Sequence, residues 1–479
     1  MTERVQGHGN RHAGWTVAQI IEATGGELVR GERSQSVDSI SIDSRTIIPG
    51  QAFVAIRGAR FDGHQFLEEA AHRGASCLVV SRLVPPTNGS VSVPTVLVED
   101  TTKSLGHLAH YHRRRLGLPV IAVTGSCGKT TTKELIAHLV SAAGPVLKSV
   151  GTQNNHIGVP LTLLHMTPEH HMAVIELGSN HPGEIAYLAD MAEPNIAVIT
   201  NVGPVHLEFL GSLMGVLREK LSLLQAIPTD GSVVLPGDQL DICLEAPRYL
   251  DPRTRVVTFG TTDRCDIQAT DVQRSAQGMV VRLRDYLSPW LVPLVGYHNV
   301  ENALAAVACA WTVGIPLSVA KERLLTFEAI PLRSQVMRCD GLTILNDCYN
   351  ANPLSFARAL ETLRDMDVRR KVAIVGDMLE LGTYAPSAHQ AIGRLATQLG
   401  IDAILAVGDH AEEVAQGVHE VRPNGVTTYR TVQELMQELP DMLQQGDGLL
   451  IKGSRKLSLE QVTEFLLQRY QGAHRELTR

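Results

Sequence analysis

The sequence predicts an α/β protein of three domains built on parallel sheets, and three observations carry that prediction. The chain has 479 residues, too many for one ordinary core and enough for about three domains of usual size. A glycine-rich turn separates a β-branched run from a helical pattern in Ala122-Val-Thr-Gly-Ser-Cys-Gly-Lys-Thr-Thr-Thr-Lys-Glu134. Apolar strand runs then alternate with helical spacing on both sides of residue 330.

Taken in order, residues 1–116 read as a small α/β domain. Its first residues are polar and mixed in charge, with no apolar stretch of the kind a secretory signal needs. A helix is expected at 17–24, strands at 37–42, 52–56, 77–81 and 95–98, and helices at 66–73 and 101–115. Residues 117–330 form the central domain, with a buried strand at 120–124, a helix at 130–140 and further strands at 173–177 and 196–201. Residues 304–320 carry no charge, yet Gly314 and Pro316 break the run and it is rich in alanine. It reads as a pair of buried helices and not as a membrane span. Pro331 marks a hinge, and residues 331–479 form a doubly wound, Rossmann-like third domain with strands at 342–345, 372–375, 404–407 and 449–451.

A net charge of −7 gives no basic footprint, so nucleic acid is not an expected partner and any phosphate recognition is local. Seven cysteines without CxxC spacing predict reduced thiols in a cytoplasmic protein and no structural zinc.

The glycine-rich turn is a phosphate cradle. Gly125, Ser126, Cys127 and Gly128 present backbone N–H groups to an anion, and the two glycines let the chain approach it. Lys129 reaches the terminal phosphates, Thr130 offers a hydroxyl to Mg²⁺, and Thr131 continues the first turn of the helix. The ligand is a nucleoside triphosphate, and the central domain is a P-loop ATPase domain. Parallel sheets place ligands at the carboxyl ends of their strands, where Gly125, Glu176 and His206 fall. Glu176 is a hard oxygen donor suited to a second contact with Mg²⁺, or a strand-end carboxylate in solvent. Asn299 and Asn302, three apart on a helix, can read the edge of a purine, while Asn299 equally suits a helix cap.

Further segments occur in one order along the chain: Val174-Ile-Glu-Leu-Gly178 with Asn180-His-Pro-Gly-Glu-Ile185, Thr200-Asn-Val-Gly-Pro-Val-His-Leu-Glu208, Gly296-Tyr-His-Asn-Val-Glu-Asn302 and Tyr349-Asn-Ala-Asn-Pro-Leu-Ser355. Together they resemble the Mur ligase family of ATP-dependent peptidoglycan-precursor amide ligases, over nearly the whole chain. Asn350-Ala-Asn-Pro353 is most similar to the branch that adds D-alanyl-D-alanine to UDP-N-acetylmuramoyl-tripeptide. The resemblance implies that a γ-phosphoryl group activates the tripeptide carboxylate as an acyl phosphate, which the dipeptide amine then attacks. ATP and Mg²⁺ would be required, and the protein would act as a monomer without integral membrane contact.

The same resemblance implies residue roles. His206 contacts a second Mg²⁺, and Lys220, at the end of Gly211-Ser-Leu-Met-Gly-Val-Leu-Arg-Glu-Lys220, is carbamylated to become an oxygen ligand for it. Asn299 and Asn302 lie near adenine, Asp347 contacts the nucleotide, and Arg333 is a hinge arginine that reaches the phosphates on closure. In the third domain Tyr349, Asn350, Asn352, Lys452, Ser454 and Arg455 are candidates for the incoming dipeptide. Asp377, Glu380 and His389 are either further candidates or loop structure. Ser44 and Arg45, within Asp43-Ser-Arg45, resemble donors to the uridine diphosphate, and Asn154 and Asn155 resemble contacts to the muramoyl-peptide. The rival readings are another ligase of the superfamily, such as folylpoly-γ-glutamate synthetase or the branch adding the third stem residue, and a nucleotide switch or small-molecule kinase. The Asn-Pro-Arg of the branch adding the third stem residue is absent, since Leu354 follows Pro353, and Asn-Lys-x-Asp for guanine occurs nowhere.

Overall fold

The structure, a computed structural model, describes residues 14–58, 60–84 and 93–476, with side chains as far as residue 470. The polar start of the chain, where a signal sequence is not expected, lies outside the described residues except for Gly14. Contacts divide the chain into two compact units: Met1–Ala122 with Gly144–Leu177 and Tyr187–Pro194, and Val123–Ala143 with Gly178–Ala186 and Asn195–Arg479. This division differs from the three segments expected, because helix Thr101–Leu116 packs against part of the central segment. Its buried His112 and Arg113 bond the carbonyls of Met166 and Ala192, both at 2.8 Å.

In the first unit five strands form one sheet, in the order Glu27–Arg30, Thr95–Leu97, Cys77–Val80, Gln51–Val54 and Ser39–Ser41. All pair in parallel except the edge strand Glu27–Arg30. Helix Val17–Thr24 starts with a capping box between Thr16 and Gln19 and ends at Gly25, whose φ of 67° relieves the last turn. Ile20, Val54, Val79, Val96 and Leu105 build the core under it. The strand expected at 37–42 is two pieces: Ser36–Val37 pairs with Trp15–Thr16, and Ser39–Ser41 joins the sheet. Asp38 separates them by bonding its N–H to the Gly50 carbonyl and laying its side chain over Gly50. Strand Met172–Glu176, buried throughout, pairs in parallel with Val146–Lys148 and ends on Glu176.

In the second unit, strands Ile196–Ile199, Ser232–Pro236 and Arg255–Gly260 run in parallel. Beyond them Ile267–Ser275, Gly278–Leu283 and Trp290–Val292 form an antiparallel extension that the sequence reading misses. Ile267–Ser275 is half exposed and polar over much of its length, and the apolar runs Met279–Val281 and Trp290–Val292 are only three residues each. Helix Tyr297–Thr312 is buried along most of its length, and Gly314, at φ 86°, turns the chain into Leu317–Leu324, giving the expected helix pair. The last sheet runs Gln335–Cys339, Leu342–Asn346, Asp447–Lys452, Arg370–Gly376, Ala403–Val407, Val426–Tyr429. Its four inner strands are those expected from the sequence, and apolar clusters cover both faces. Among the described residues no helix is long and apolar enough to cross a membrane.

Candidate active site

Strand Val120–Thr124 leads into the phosphate loop, and helix Lys129–Val140 follows it. Gly125 and Gly128 have φ of 150° and 78°, and a Cβ on them would collide with Thr200 Oγ1 and Asn302 Oδ1. The loop is held from behind by Thr200–Gly203. Ser126 and Cys127 donate their N–H groups to Asn201 O (3.0 Å) and Asn201 Oδ1 (2.9 Å), Asn201 Nδ2 donates to Cys127 O (3.1 Å), and Ser126 Oγ donates to Gly203 O (3.0 Å). Sequence reasoning quotes Thr200 and Asn201 only as part of a motif. Their position directly after an apolar strand is the signal that could have assigned them. Lys129 Nζ donates to Gly125 O at 2.7 Å, while Thr130 and Thr131 lie buried in the first helical turn. The expectation that Ser126 and Cys127 turn their N–H groups to an anion is therefore not met, because Asn201 takes both; what remains suited to an anion is the N-terminus of helix Lys129–Val140.

Helix Leu213–Leu221 carries Lys220, whose side chain is 1% exposed and donates to Ser179 Oγ at 2.8 Å. Burial, then the nearby positive charge of Lys129, pull its amine down to about 7 against the opposing pull of Glu219 and Glu184. Glu219 accepts the N–H groups of Gly183 and Ile185. His206, at φ 50°, precedes the short helix Leu207–Leu210, and its Nδ1 lies 2.5 Å from Glu380 Oε2. Hydrogen bonding from His206 holds the Glu380 carboxyl below its ordinary value.

Asn299 and Asn302 are both buried. The cap of helix Tyr297–Thr312 is Gly296 and makes no side-chain bond, so Asn299 does not cap it. Asn299 Nδ2 donates instead to Val295 O at 2.8 Å, and Asn302 Nδ2 to Asn299 Oδ1 at 3.0 Å.

Third-domain candidates gather on one loop of the same unit. Lys452 Nζ bonds Asp347 Oδ2 at 2.6 Å and Asn350 O at 3.0 Å, and Arg333 lies 4.1 Å from the Tyr349 ring centroid. Asn352 caps helix Pro353–Asp365 and accepts the Cys127 thiol at 3.3 Å, while Leu354 packs over Gly203. Ser454 is buried, with Oγ lacking a hydrogen-bond partner among the described residues. Arg455 is elsewhere engaged, paired with Glu460 at 2.8 Å. Asp377 accepts the N–H groups of Asp409 and His410, and His389 uses both ring nitrogens on Met378 N and Ala385 O. Those two bonding sets are loop structure.

In the first unit Asn154 Nδ2 donates to Glu176 Oε1 at 2.8 Å, and Glu176 Oε2 is buried without a hydrogen-bond partner among the described residues. A buried carboxylate oxygen left open in this way fits a hard cation. Asn155 caps the turn before Gly158–Leu164 by accepting from Ile157 and Gly158. Ser44 Oγ donates to Glu69, and Arg45 forks onto Asp43 at 2.7 and 2.9 Å, apart from the Asn154 and Glu176 pair in their bonding. The hydrogen bonds from Arg45 depress the Asp43 carboxyl. Among the described residues no group of three or more His, Cys, Asp or Glu is placed to hold a metal.

Three family models match along the chain: the Mur ligase family catalytic domain over residues 36–113, the Mur ligase middle domain over 123–310, and the Mur ligase glutamate ligase domain over 332–455. The chain is 36% identical over 457 residues to UDP-N-acetylmuramoyl-tripeptide--D-alanyl-D-alanine ligase of Escherichia coli, covering 94% of this chain and 98% of the relative. The Bacillus subtilis protein of the same name is 34% identical, with 95% and 98% covered. Among solved structures, MurF from Acinetobacter baumannii superposes with a TM-score of 0.88 at 31% identity, covering 96% of this chain and 100% of that one. MurF of Thermotoga maritima in complex with ADP gives 0.81 at 27% identity, covering 91% and 98%. With its order of motifs and its phosphate loop matched over almost its whole length, the chain belongs to the Mur ligase family.

Proposed function

We infer that the chain is an ATP-dependent, ADP-forming amide ligase that joins D-alanyl-D-alanine to UDP-N-acetylmuramoyl-tripeptide in peptidoglycan precursor synthesis. The observation that carries this reading is the full-length likeness to relatives of that name, in a chain with an intact phosphate loop.

A carboxylate does not form an amide at neutral pH without activation, and phosphoryl transfer from ATP supplies it as an acyl phosphate. In this reading the N–H groups at the start of helix Lys129–Val140 and the Lys129 ammonium hold the phosphates, the Ser126 and Cys127 N–H groups being given to Asn201 to brace the loop, while Arg333 offers a forked cation to the charge that develops. Mg²⁺, to which the Thr130 hydroxyl and the open oxygen of Glu176 are each suited by chemistry, would neutralise phosphate oxygens. Asp347 and Lys452 fix the loop carrying Tyr349, Asn350 and Asn352, which we assign to the dipeptide. Ser44 and Arg45 in residues 1–116 hold the uridine diphosphate, Asn154 and Asn155 the peptide, and residues 117–330 and 331–479 serve as the ATPase and acceptor domains. Free thiols and nucleotide-linked substrates suit a cytoplasmic enzyme.

Lys220 becomes a carbamate in the same reading. The neutral amine nitrogen attacks CO₂, a C–N bond forms and one proton is released, which turns a buried amine into an anionic oxygen donor. Burial favours the neutral amine that this attack requires.

The test follows ADP release. With ATP and the tripeptide nucleotide present, sustained ADP formation is expected only when D-alanyl-D-alanine is added. Release at the same rate without any amine would instead mark a kinase or nucleotide switch.

A further inference from the structure

We propose that Thr132 is a positioning residue for the nucleotide site, acting through a chain of side-chain hydrogen bonds that fixes the Asn302 amide against the phosphate loop. The proposal rests on Gly125–Thr131 being the nucleotide site. The chain starts at a backbone carbonyl. Val295 O can only accept, so the Asn299 atom facing it at 2.8 Å is Nδ2, and Oδ1 of the same amide must face the other way. Asn302 Nδ2 then donates to that Oδ1 at 3.0 Å, leaving Asn302 Oδ1 to accept from Thr132 Oγ1 at 3.2 Å. Both amides are thereby locked in one orientation, with no choice left to solvent. Exposure is 3% at Asn299, 5% at Asn302 and 0% at Thr132.

This arrangement aims Asn302 Oδ1 at the loop. A Cβ on Gly128 would collide with that oxygen, and Gly128 is the left-handed residue that starts helix Lys129–Val140. The phosphate loop is thus supported on one side by Thr200–Gly203 and on another by Asn302. Thr132 is on the helix that the loop opens, one turn beyond Gly128, whose carbonyl accepts the Thr132 N–H at 2.8 Å. Its hydroxyl closes the circuit between that helix and Tyr297–Thr312. Valine fills the same volume but has no donor, so it cannot do so.

The test compares Thr132→Val with Thr132→Ser in the full chain, measuring ADP affinity by calorimetry and KM for each substrate. Thr132→Val is expected to weaken ADP binding by about three- to tenfold, the usual effect of one buried hydrogen bond. KM for the tripeptide nucleotide and for the dipeptide should stay unchanged, and serine should restore ADP binding. Asn299→Ala breaks the chain one link earlier and should give a similar loss, with the double variant no worse than the weaker single because both act through Asn302. Equal ADP affinity in wild type and Thr132→Val would overturn the proposal, as would equal losses in the valine and serine variants, which would point to packing alone. Wild-type protein without ADP binding would instead remove the nucleotide assignment on which it rests.

Discussion

Lys129 and Lys220 are two cations of one unit with different tasks. Lys129 lies across its own loop, bonded to Gly125 O, and in the proposed function it holds the phosphates. Lys129→Ala should fold and show no turnover, and Lys129→Arg should not restore it, because a planar guanidinium does not fit where an ammonium rests on the loop. Circular dichroism and a coupled ADP assay check both parts. Lys220 is buried against Ser179, and ¹³C-bicarbonate should give the wild-type protein a carbamate signal that Lys220→Ala lacks, with most turnover lost in that variant. A fully active Lys220→Ala protein would mean that the chain works without the modification. The identity of both lysines is legible in the sequence, one from the glycine-rich turn and one from the family resemblance. Their partners are not: Ser179 is 41 residues from Lys220, and Glu380 is 174 residues from the His206 it meets. No local pattern encodes such pairings, which arise only when the sheets bring strand ends together.

Helices and strands were read with uneven success, for physical reasons. Inner strands such as Ala403–Val407 are continuous apolar runs and announce themselves. Strands such as Val426–Tyr429 and Ile267–Ser275 are half exposed, so their pattern is weak. Helix starts are clearer, and Asn352 is a case with a functional edge. Its side chain caps Pro353–Asp365 and meets the Cys127 thiol, joining the loop assigned to the dipeptide under the proposed function to the glycine-rich turn. Asn352→Ala should lower stability by about 1 kcal/mol, the usual loss of a cap, and raise KM for the dipeptide more than KM for ATP. Urea unfolding and steady-state kinetics separate the two effects. Gly128→Ala should be more severe than either, since φ of 78° and the Asn302 oxygen both oppose a side chain there. Nucleotide binding by that variant at wild-type strength would show that the loop relaxes freely.

For the whole molecule, the order of motifs along 479 residues was sufficient to place the chain in its family, and the likeness to full-length relatives agrees with it. What the sequence did not reveal is how contacts group the chain: part of the segment after 117 joins the first compact unit, where helix Thr101–Leu116 bonds to Met166 and Ala192. The ligase reading concerns the chemistry of the acceptor, and it is tested most directly by a substrate matrix. The protein is incubated with ATP and either the UDP-muramoyl dipeptide or tripeptide, the amine is varied, and products are read by mass. Addition of D-alanyl-D-alanine to the tripeptide, with one ADP per bond formed, is the expected result. Efficient addition of L-lysine or diaminopimelate to the dipeptide, with no product from D-alanyl-D-alanine, would contradict it.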